Sequence, residues 1–282
     1  MGILKCGYLG PPGTYSEQAG ISYFTADEKL VSYNSIYNIF EAIQSGEIDR
    51  GLVPIENSLE GAVNVSMDLL YSNSFVTILA ELIFPINNCL LVEKGVGLAD
   101  ITKVYSHPQP IGQSNKFINS KLAAASISYT ASTAEAAEIV KGSSDSAVIG
   151  SERISGIYGL EVIAKKIQDN DNNFTRFFVI ANKLDIGGLV YKKDRDYKTS
   201  LICAPRINKS GALYNILGDF AEEGVNLTRI ESRPTKRQLG EYLFYIDFEG
   251  HRQEKNIKKA LDGVQEKSSF FRVLGSYLIE KI

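Results

Sequence analysis

In the last third of this chain the spacing of apolar residues switches between a helical period and a period of two, and that switching leaves few folds open. Thr199–Ile207 is strand-like. Ser210 then stands where it can cap a helix whose apolar face is Leu213, Ile216, Leu217, Phe220 and Ala221, with Gly224 as a stop signal. Asn226–Ser232 reads as a second strand. Across Glu241–Glu249 the even positions Tyr242, Phe244, Ile246 and Phe248 are apolar, the signature of a half-buried strand. Ile257, Leu261 and Val264 mark one face of a second helix, and Phe270–Ile279 closes the series. The order βαββαβ is ferredoxin-like. Pattern alone therefore predicts an α+β domain over residues 199–282.

From residue 3 to about 182 short strand-like runs alternate with helical ones. Ile3–Leu9 is a strand, Gly10–Gly13 a turn, and Thr14 or Ser16 can cap a helix reaching Phe24. Leu30–Tyr33 is strand-like. Ile36, Ile39, Phe40 and Ile43 recur at helical spacing, so Ser35–Ser45 is an amphipathic helix. Gly51–Ile55 is again strand-like, Gly61–Tyr71 helical, and Phe75–Glu93 β-rich with an interruption at Pro85. Thr133–Lys141 is helical, while Ala147–Gly150, Glu161–Ile167 and Arg176–Ala181 are strands. Such alternation predicts α/β architecture with largely parallel sheets. Lys183–Lys198, with its Gly-Gly pair and charge cluster, breaks the pattern and is expected to be a linker. The expected domains are thus 1–182 and 199–282, joined by 183–198.

Composition removes several function classes. A formal net charge of −3 and a pI near 5.6 argue against nucleic acid as the main partner. No apolar run is long enough to cross a bilayer, and MGILKCGYLGPPGTYSEQ enters a strand-and-turn pattern directly, without a signal-peptide core. A cytoplasmic protein with no membrane partner is expected. Cys6, Cys89 and Cys203 fit neither a disulfide framework nor a zinc ribbon, and with only His107 and His251 beside them no metal and no cofactor are expected.

Four polar-and-glycine strings remain: Gly10–Glu17 (GPPGTYSE), Val53–Gly61 (VPIENSLEG), Ser106–Ser114 (SHPQPIGQS) and Asn172–Phe177 (NNFTRF). Taken singly, each reads most simply as a turn, a cap or a solvated charge. Their location adds weight, because at least three fall where a strand hands over to a loop or helix, the place where open α/β sheets bind ligands. Helix starts favour anions, and Ser, Thr and Arg suit carboxylates. A nucleophile–base pair, a long Walker-type loop and a GxGxxG fingerprint are all missing. The residues alone suggest a small-anion site, in either a binding protein or a lyase.

The ordered set of strings resembles one family. GPPGTYSE is similar to the GPxGTFSE signature of prephenate dehydratases, and VPIENSLEGAV matches their second signature almost letter for letter. Ser132–Ala137 (STAEAA), Ile157–Leu160 (IYGL) and Phe174–Phe177 (FTRF) follow in the family's order. Gly211–Leu213 (GAL) and Glu231–Pro234 (ESRP) resemble the two motifs by which the family's ACT domain holds phenylalanine. This resemblance spans essentially the whole chain. It implies a two-lobed, periplasmic-binding-protein-like catalytic domain followed by a ferredoxin-like ACT domain. It also implies loss of carbon dioxide and hydroxide from prephenate to give phenylpyruvate, with no cofactor and with phenylalanine as allosteric effector. A homodimer or homotetramer is implied as well. With no chorismate mutase segment before the first signature, a monofunctional enzyme is expected.

Because aromatisation drives the reaction and the departing carboxylate supplies the electrons, only the leaving hydroxide needs help, from a proton donor or a strong hydrogen bond. The resemblance assigns that role to Thr175. It places Thr14, Glu56, Asn57, Ser58, Ser132, Thr133, Arg176 and Phe177 at the substrate. Holding the ring carboxylate tightly would oppose its loss; Arg176 is therefore expected on the pyruvyl carboxylate. Glu56 is expected to orient Asn57 or Arg176 or to act as a buried acid, and His107 to fix its loop. Gly211, Ala212, Leu213, Glu231, Ser232, Arg233 and Pro234 are expected to hold phenylalanine, between two chains. Three positions depart from the family: Ser210 replaces a proline before GAL, and Pro110 and Ser114 stand where other residues are commoner. Arogenate dehydratase, a prephenate decarboxylase that does not aromatise, and a two-lobed amino-acid-binding protein are the competing readings; Thr175 argues against the second, and the ACT domain against the third.

Overall fold

The first strand β1 (Lys5–Leu9) runs through a Gly-Pro-Pro-Gly turn into α1 (Tyr15–Tyr23), whose first turn is closed by the Thr14 hydroxyl accepting from the Glu17 N–H. Next come β2 (Lys29–Tyr33), α2 (Ile36–Ser45) and β3 (Arg50–Asn57). The apolar face read from the sequence is the buried face of α2; Ser35 caps it and Gly46, at φ 75°, ends it. β1 lies between β2 and β3, parallel to both. The computed structural model describes residues 3–184, 191–192, 195–236 and 240–279. Half of the expected linker 183–198, residues 185–190 and 193–194, lies outside them.

One correction follows directly. The helix expected from Gly61 starts later, because Gly61, at φ 81°, turns the chain into a two-residue strand β4 (Gly61–Ala62) antiparallel to Glu56–Asn57. Only then does α3 (Asn64–Ser72) begin, with the Ser66 hydroxyl donating to the Pro54 carbonyl at 2.6 Å. The β-rich run resolves into β5 (Val76–Pro85) and β6 (Cys89–Val92), with Pro85 as the last residue of β5.

The second lobe continues through β7 (Lys103–Ser106), α4 (Pro108–Gly112), α5 (Asn115–Lys121), β8 (Ser126–Tyr129), α6 (Thr133–Val140), β9 (Ser146–Gly150), α7 (Arg153–Tyr158) and β10 (Glu161–Ala164). Its sheet order is β10-β6-β9-β7-β8, with β7 parallel to β8 and β9. β6 and β10 enter antiparallel, so the sheet is mixed rather than wholly parallel. Leu90, Val104, Ile118 and Ile149 pack one face; Leu91, Ala137, Val148 and Ile154 pack the other. The strand expected to reach Ile167 stops at Ala164, and Lys166 turns the chain at φ 53°. The chain then passes into β11 (Phe174–Asn182), the neighbour of β3.

The remaining elements are β12 (Tyr197–Pro205), α8 (Ala212–Glu222), β13 (Leu227–Pro234), β14 (Tyr242–Glu249), α9 (Lys255–Lys267) and β15 (Ser268–Ile279). The sheet order β13-β14-β12-β15, antiparallel throughout, is the ferredoxin-like arrangement that the pattern implied. Leu201, Ile216, Phe220, Ile246, Phe248 and Val264 form its core. Two details differ from expectation. Gly211, in the left-handed region at φ 81°, is the N-cap of α8, so Ser210 is not the cap. β14 is buried on both faces, since Leu243, Tyr245 and Asp247 are as enclosed as Phe248.

By its internal packing the chain divides into two units. One holds the residues up to Met67 together with Leu82–Phe177; the other holds Asp68–Glu81 with the chain from Phe178 onward. The second unit thus borrows β5 residues, and Leu278 of β15 pairs in parallel with Ala80.

Candidate active site

Four of the handovers flagged in the sequence come together in the first unit around a cleft of about 440 Å³. Thr14 and Tyr15 reach it from the start of α1, His107 and Gln109 from the start of α4, and Ser132 and Thr133 from the start of α6. Asn57 arrives from the end of β3, and Thr175 and Phe177 from β11. Gly10 lies at its edge because the chain there passes so close to β2 that any side chain would run into the Ser32 hydroxyl.

The cleft has no Lys or Arg among its described lining residues. What it offers an anion is backbone: the first-turn N–H groups of an α-helix have no partner within the helix, and they sit at the positive end of its dipole. The Ser132 and Thr14 side chains each take one of these groups, from Glu135 at 3.1 Å and Glu17 at 3.3 Å, and so fix the helix starts. Tyr15 donates to Asn88 Oδ1 at 2.7 Å and to the Asn87 carbonyl at 2.9 Å. Burial pushes its phenol above the ordinary value, so it stays a neutral donor.

Behind Thr175 lies a run of carboxamides. Asn57 Nδ2 donates to Thr175 Oγ1 at 3.0 Å, to Asn173 Oδ1 at 2.9 Å and to the Phe174 carbonyl at 3.2 Å. Its Oδ1 accepts from the backbone N–H groups of Leu59 and Glu60 at 3.0 and 3.1 Å. Asn173 Nδ2 donates to Gln113 Oε1 at 2.8 Å. Among the described residues none accepts the Thr175 hydroxyl proton.

The structure does not bring Glu56, Ser58 and Arg176 to the cleft. Side chains alternate across a strand, so Arg176 points away from the face of Thr175 and Phe177, and its guanidinium stands 4.0 Å from the Glu56 carboxylate. Glu56 is likewise one residue out of phase with Asn57. Ser58 closes a loop: its hydroxyl donates to the Asn172 carbonyl at 2.7 Å and accepts from the Phe174 N–H at 3.0 Å. His107 accepts from the Gln109 N–H at 3.3 Å, a loop-fixing bond on the cleft wall. Gln113 and Asn173 were not singled out in the sequence. Both sit inside the SHPQPIGQS and NNFTRF strings, but an amide in a loop carries no signal until its partner across the fold is known.

A second cavity, of about 650 Å³, lies in the other unit. Gly211, Ala212 and Leu213 line it, with Tyr71, Phe244 and Phe270 as aromatic walls. Glu231, Ser232, Arg233 and Pro234 do not; they lie on β13, at the sheet edge. Arg233 turns to Asp68 at 3.1 Å, and Glu231 to Arg229 at 3.5 Å.

A two-lobed α/β cleft walled by helix starts, in a chain that also carries a ferredoxin-like unit with its own cavity, defines a small-anion enzyme with a separate ligand-binding domain. Known proteins narrow this class. Residues 6–185 match the family model described as prephenate dehydratase, and residues 206–265 match that of the ACT domain. A prephenate dehydratase of Methanocaldococcus jannaschii is 38% identical over 96% of both chains. A chloroplastic arogenate dehydratase of Arabidopsis thaliana is 36% identical over 97% of this chain and 67% of its own. The solved prephenate dehydratase of Arthrobacter aurescens, in complex with L-Phe, is 34% identical with a TM-score of 0.87, covering 98% of this chain and 90% of its own. The chain belongs to the prephenate dehydratase family, carbon–oxygen lyases of aromatic amino acid biosynthesis, and carries an ACT domain. No helix among the described residues is long and apolar enough to cross a membrane.

Proposed function

We propose that the cleft binds prephenate and that the Thr175 hydroxyl donates a hydrogen bond to the leaving ring hydroxyl. As the ring C–COO⁻ bond breaks, its electron pair enters the ring, carbon dioxide departs, and the C–OH bond breaks. The hydroxide takes up one proton, so the products are phenylpyruvate, carbon dioxide and water. The observation that carries this reading is the Asn57 donation to Thr175 Oγ1, which engages a lone pair and leaves the hydroxyl proton available to a substrate. The pyruvyl carboxylate is assigned to the first-turn N–H groups of α1 and α6, with Phe177 against the ring. Arg176 is assigned to holding Glu56 and the β3 end. A substrate-analogue complex with Arg176 on the pyruvyl carboxylate would return the anchoring role to that residue.

Thr175→Ala is expected to lower kcat by roughly 10²–10³-fold, the range seen on removing one transition-state donor, with KM changed little. A parental kcat in this variant sinks the assignment. The arogenate dehydratase relative supports a second substrate, and assays with prephenate and arogenate side by side separate the two.

In the second unit the Gly211–Leu213 cavity is proposed to take L-phenylalanine as effector. Glu231–Pro234 stand outside the cavity of their own chain, on an edge strand, which supports a homodimer or homotetramer in which a second copy supplies them. Light scattering on the purified protein tests this. A catalytic domain at 1–182, a linker at 183–198, an ACT domain at 199–282 and a cytoplasmic location complete the reading.

A further inference from the structure

Asn173 does not itself line the cleft, yet it is the hinge of the polar run behind it. It is 1% exposed, between Asn57 at 7% and Gln113 at 9%. Its backbone is pinned by the Ile86 N–H donating to its carbonyl at 2.8 Å. The amide orientations along the run are set by the chemistry of their partners. Asn57 Oδ1 meets two backbone N–H groups, which only donate, so Nδ2 must face Thr175 and Asn173. Asn173 must then turn Oδ1 to Asn57 and Nδ2 to Gln113 Oε1, leaving Gln113 Nε2 to face the Glu60 carboxylate, 3.5 Å away. From Asn57 onward the bonds donate in one direction and end on a carboxylate, so each polarises the next.

We propose that Asn173 is a positioning residue for the dehydration. By accepting from Asn57 while donating to Gln113, it fixes the position of the Asn57 amide, whose orientation the Leu59 and Glu60 N–H groups set, and so keeps Nδ2 on Thr175 and the Thr175 proton directed at the substrate. Only a carboxamide does both at once at this site: an apolar residue does neither, and an ionised carboxylate cannot donate to Gln113. Without it Asn57 Nδ2 loses one of its acceptors, its contact with Thr175 Oγ1 slackens, and the threonine proton is less firmly directed at the substrate. The proposal rests on the reading of Thr175 as the donor.

The test is a double-mutant cycle on the full chain, with kcat and KM for prephenate and the thermal unfolding midpoint measured for each protein. Asn173→Leu is expected to lower kcat about 30-fold, within the range that one positioned proton donor contributes, and to leave KM within about threefold. Placed on Thr175→Ala, the same substitution is expected to cost less than about threefold, because the group it positions is gone. A merely structural asparagine would cost the same in both backgrounds; equal losses therefore overturn the proposal. A parental kcat in Asn173→Leu beside an inactive Thr175→Ala overturns it too, while the Thr175 reading stands. A parental kcat in Thr175→Ala sinks the reading on which both rest. If Asn173→Leu does not fold, Asn173→Ala, which leaves room for water, is measured with the same cycle and the same criteria.

Discussion

At the scale of single residues, chemistry and position separate. Thr175 and Arg176 are neighbours and both can serve an anionic substrate, one as a hydroxyl donor and one as a cation, but a strand sends them to opposite faces. Which face carried the cleft was not readable from the FTRF string, because it depends on what packs against β11. Gly211 shows the reverse case. A serine before a helix is a standard cap, so Ser210 was the natural reading; the backbone instead puts Gly211 at φ 81° in that place. Ser210→Ala is therefore expected to leave stability within about 0.5 kcal/mol, the spread of neutral surface changes. Gly211→Ala, forcing a Cβ into the left-handed region, is expected to cost about 1 kcal/mol or more. Urea unfolding of the two variants decides; a loss of about 1 kcal/mol or more in Ser210→Ala would restore Ser210 as the cap.

At the scale of elements, periodicity was the reliable guide. The apolar faces of α2, α8 and α9 follow from their spacing, because a helix buries whichever stripe recurs every three to four residues. Short elements escaped. α4 and α5 are broken up by Pro108, Pro110 and Gly112, too brief for a period to show. The second buried face of β14 escaped for another reason: it is covered by residues far away in sequence. Asp68 of α3 also meets partners far along the chain: it accepts from Lys236 at 2.6 Å and from Arg233 of β13 at 3.1 Å. Burial raises its pKa, but those two cations outweigh it and hold the carboxyl below its ordinary 3.8. A carboxyl depressed on folding contributes stability that is present above its unfolded pKa and is lost as pH falls through the folded one. Asp68→Asn is expected to lower the unfolding midpoint at pH 7, by on the order of 1 kcal/mol for a partly solvated pair. That deficit is expected to shrink as pH falls through the depressed folded pKa, where the parental carboxyl becomes protonated as well. A deficit constant with pH would remove charge from the explanation.

At the scale of the molecule, each unit presents its own cavity. The first is built for an anion without a single cationic side chain on its described wall; the second is aromatic and glycine-edged. L-Phenylalanine that binds only the folded chain raises its stability by about 2.7 kcal/mol at a hundred times the dissociation constant. A concentration-dependent rise in the unfolding midpoint is therefore expected, and absence of any shift at millimolar L-phenylalanine would refute the effector assignment.

The sequence by itself determined the two architectures, the βαββαβ order and the family, because these depend on local period and on ordered strings of neighbouring residues. It also marked Thr175, Asn57, Thr14 and Ser132, since a cap or a motif is written within a few positions. Only the tertiary structure decided that Arg176 faces Glu56, that Gly211 and not Ser210 begins α8, and that Asn57, Asn173 and Gln113 form one hydrogen-bonded run. The carboxamide run joins residues 60 and 116 positions apart, and a hydrogen bond is fixed by distance and angle in space, which no local spacing encodes.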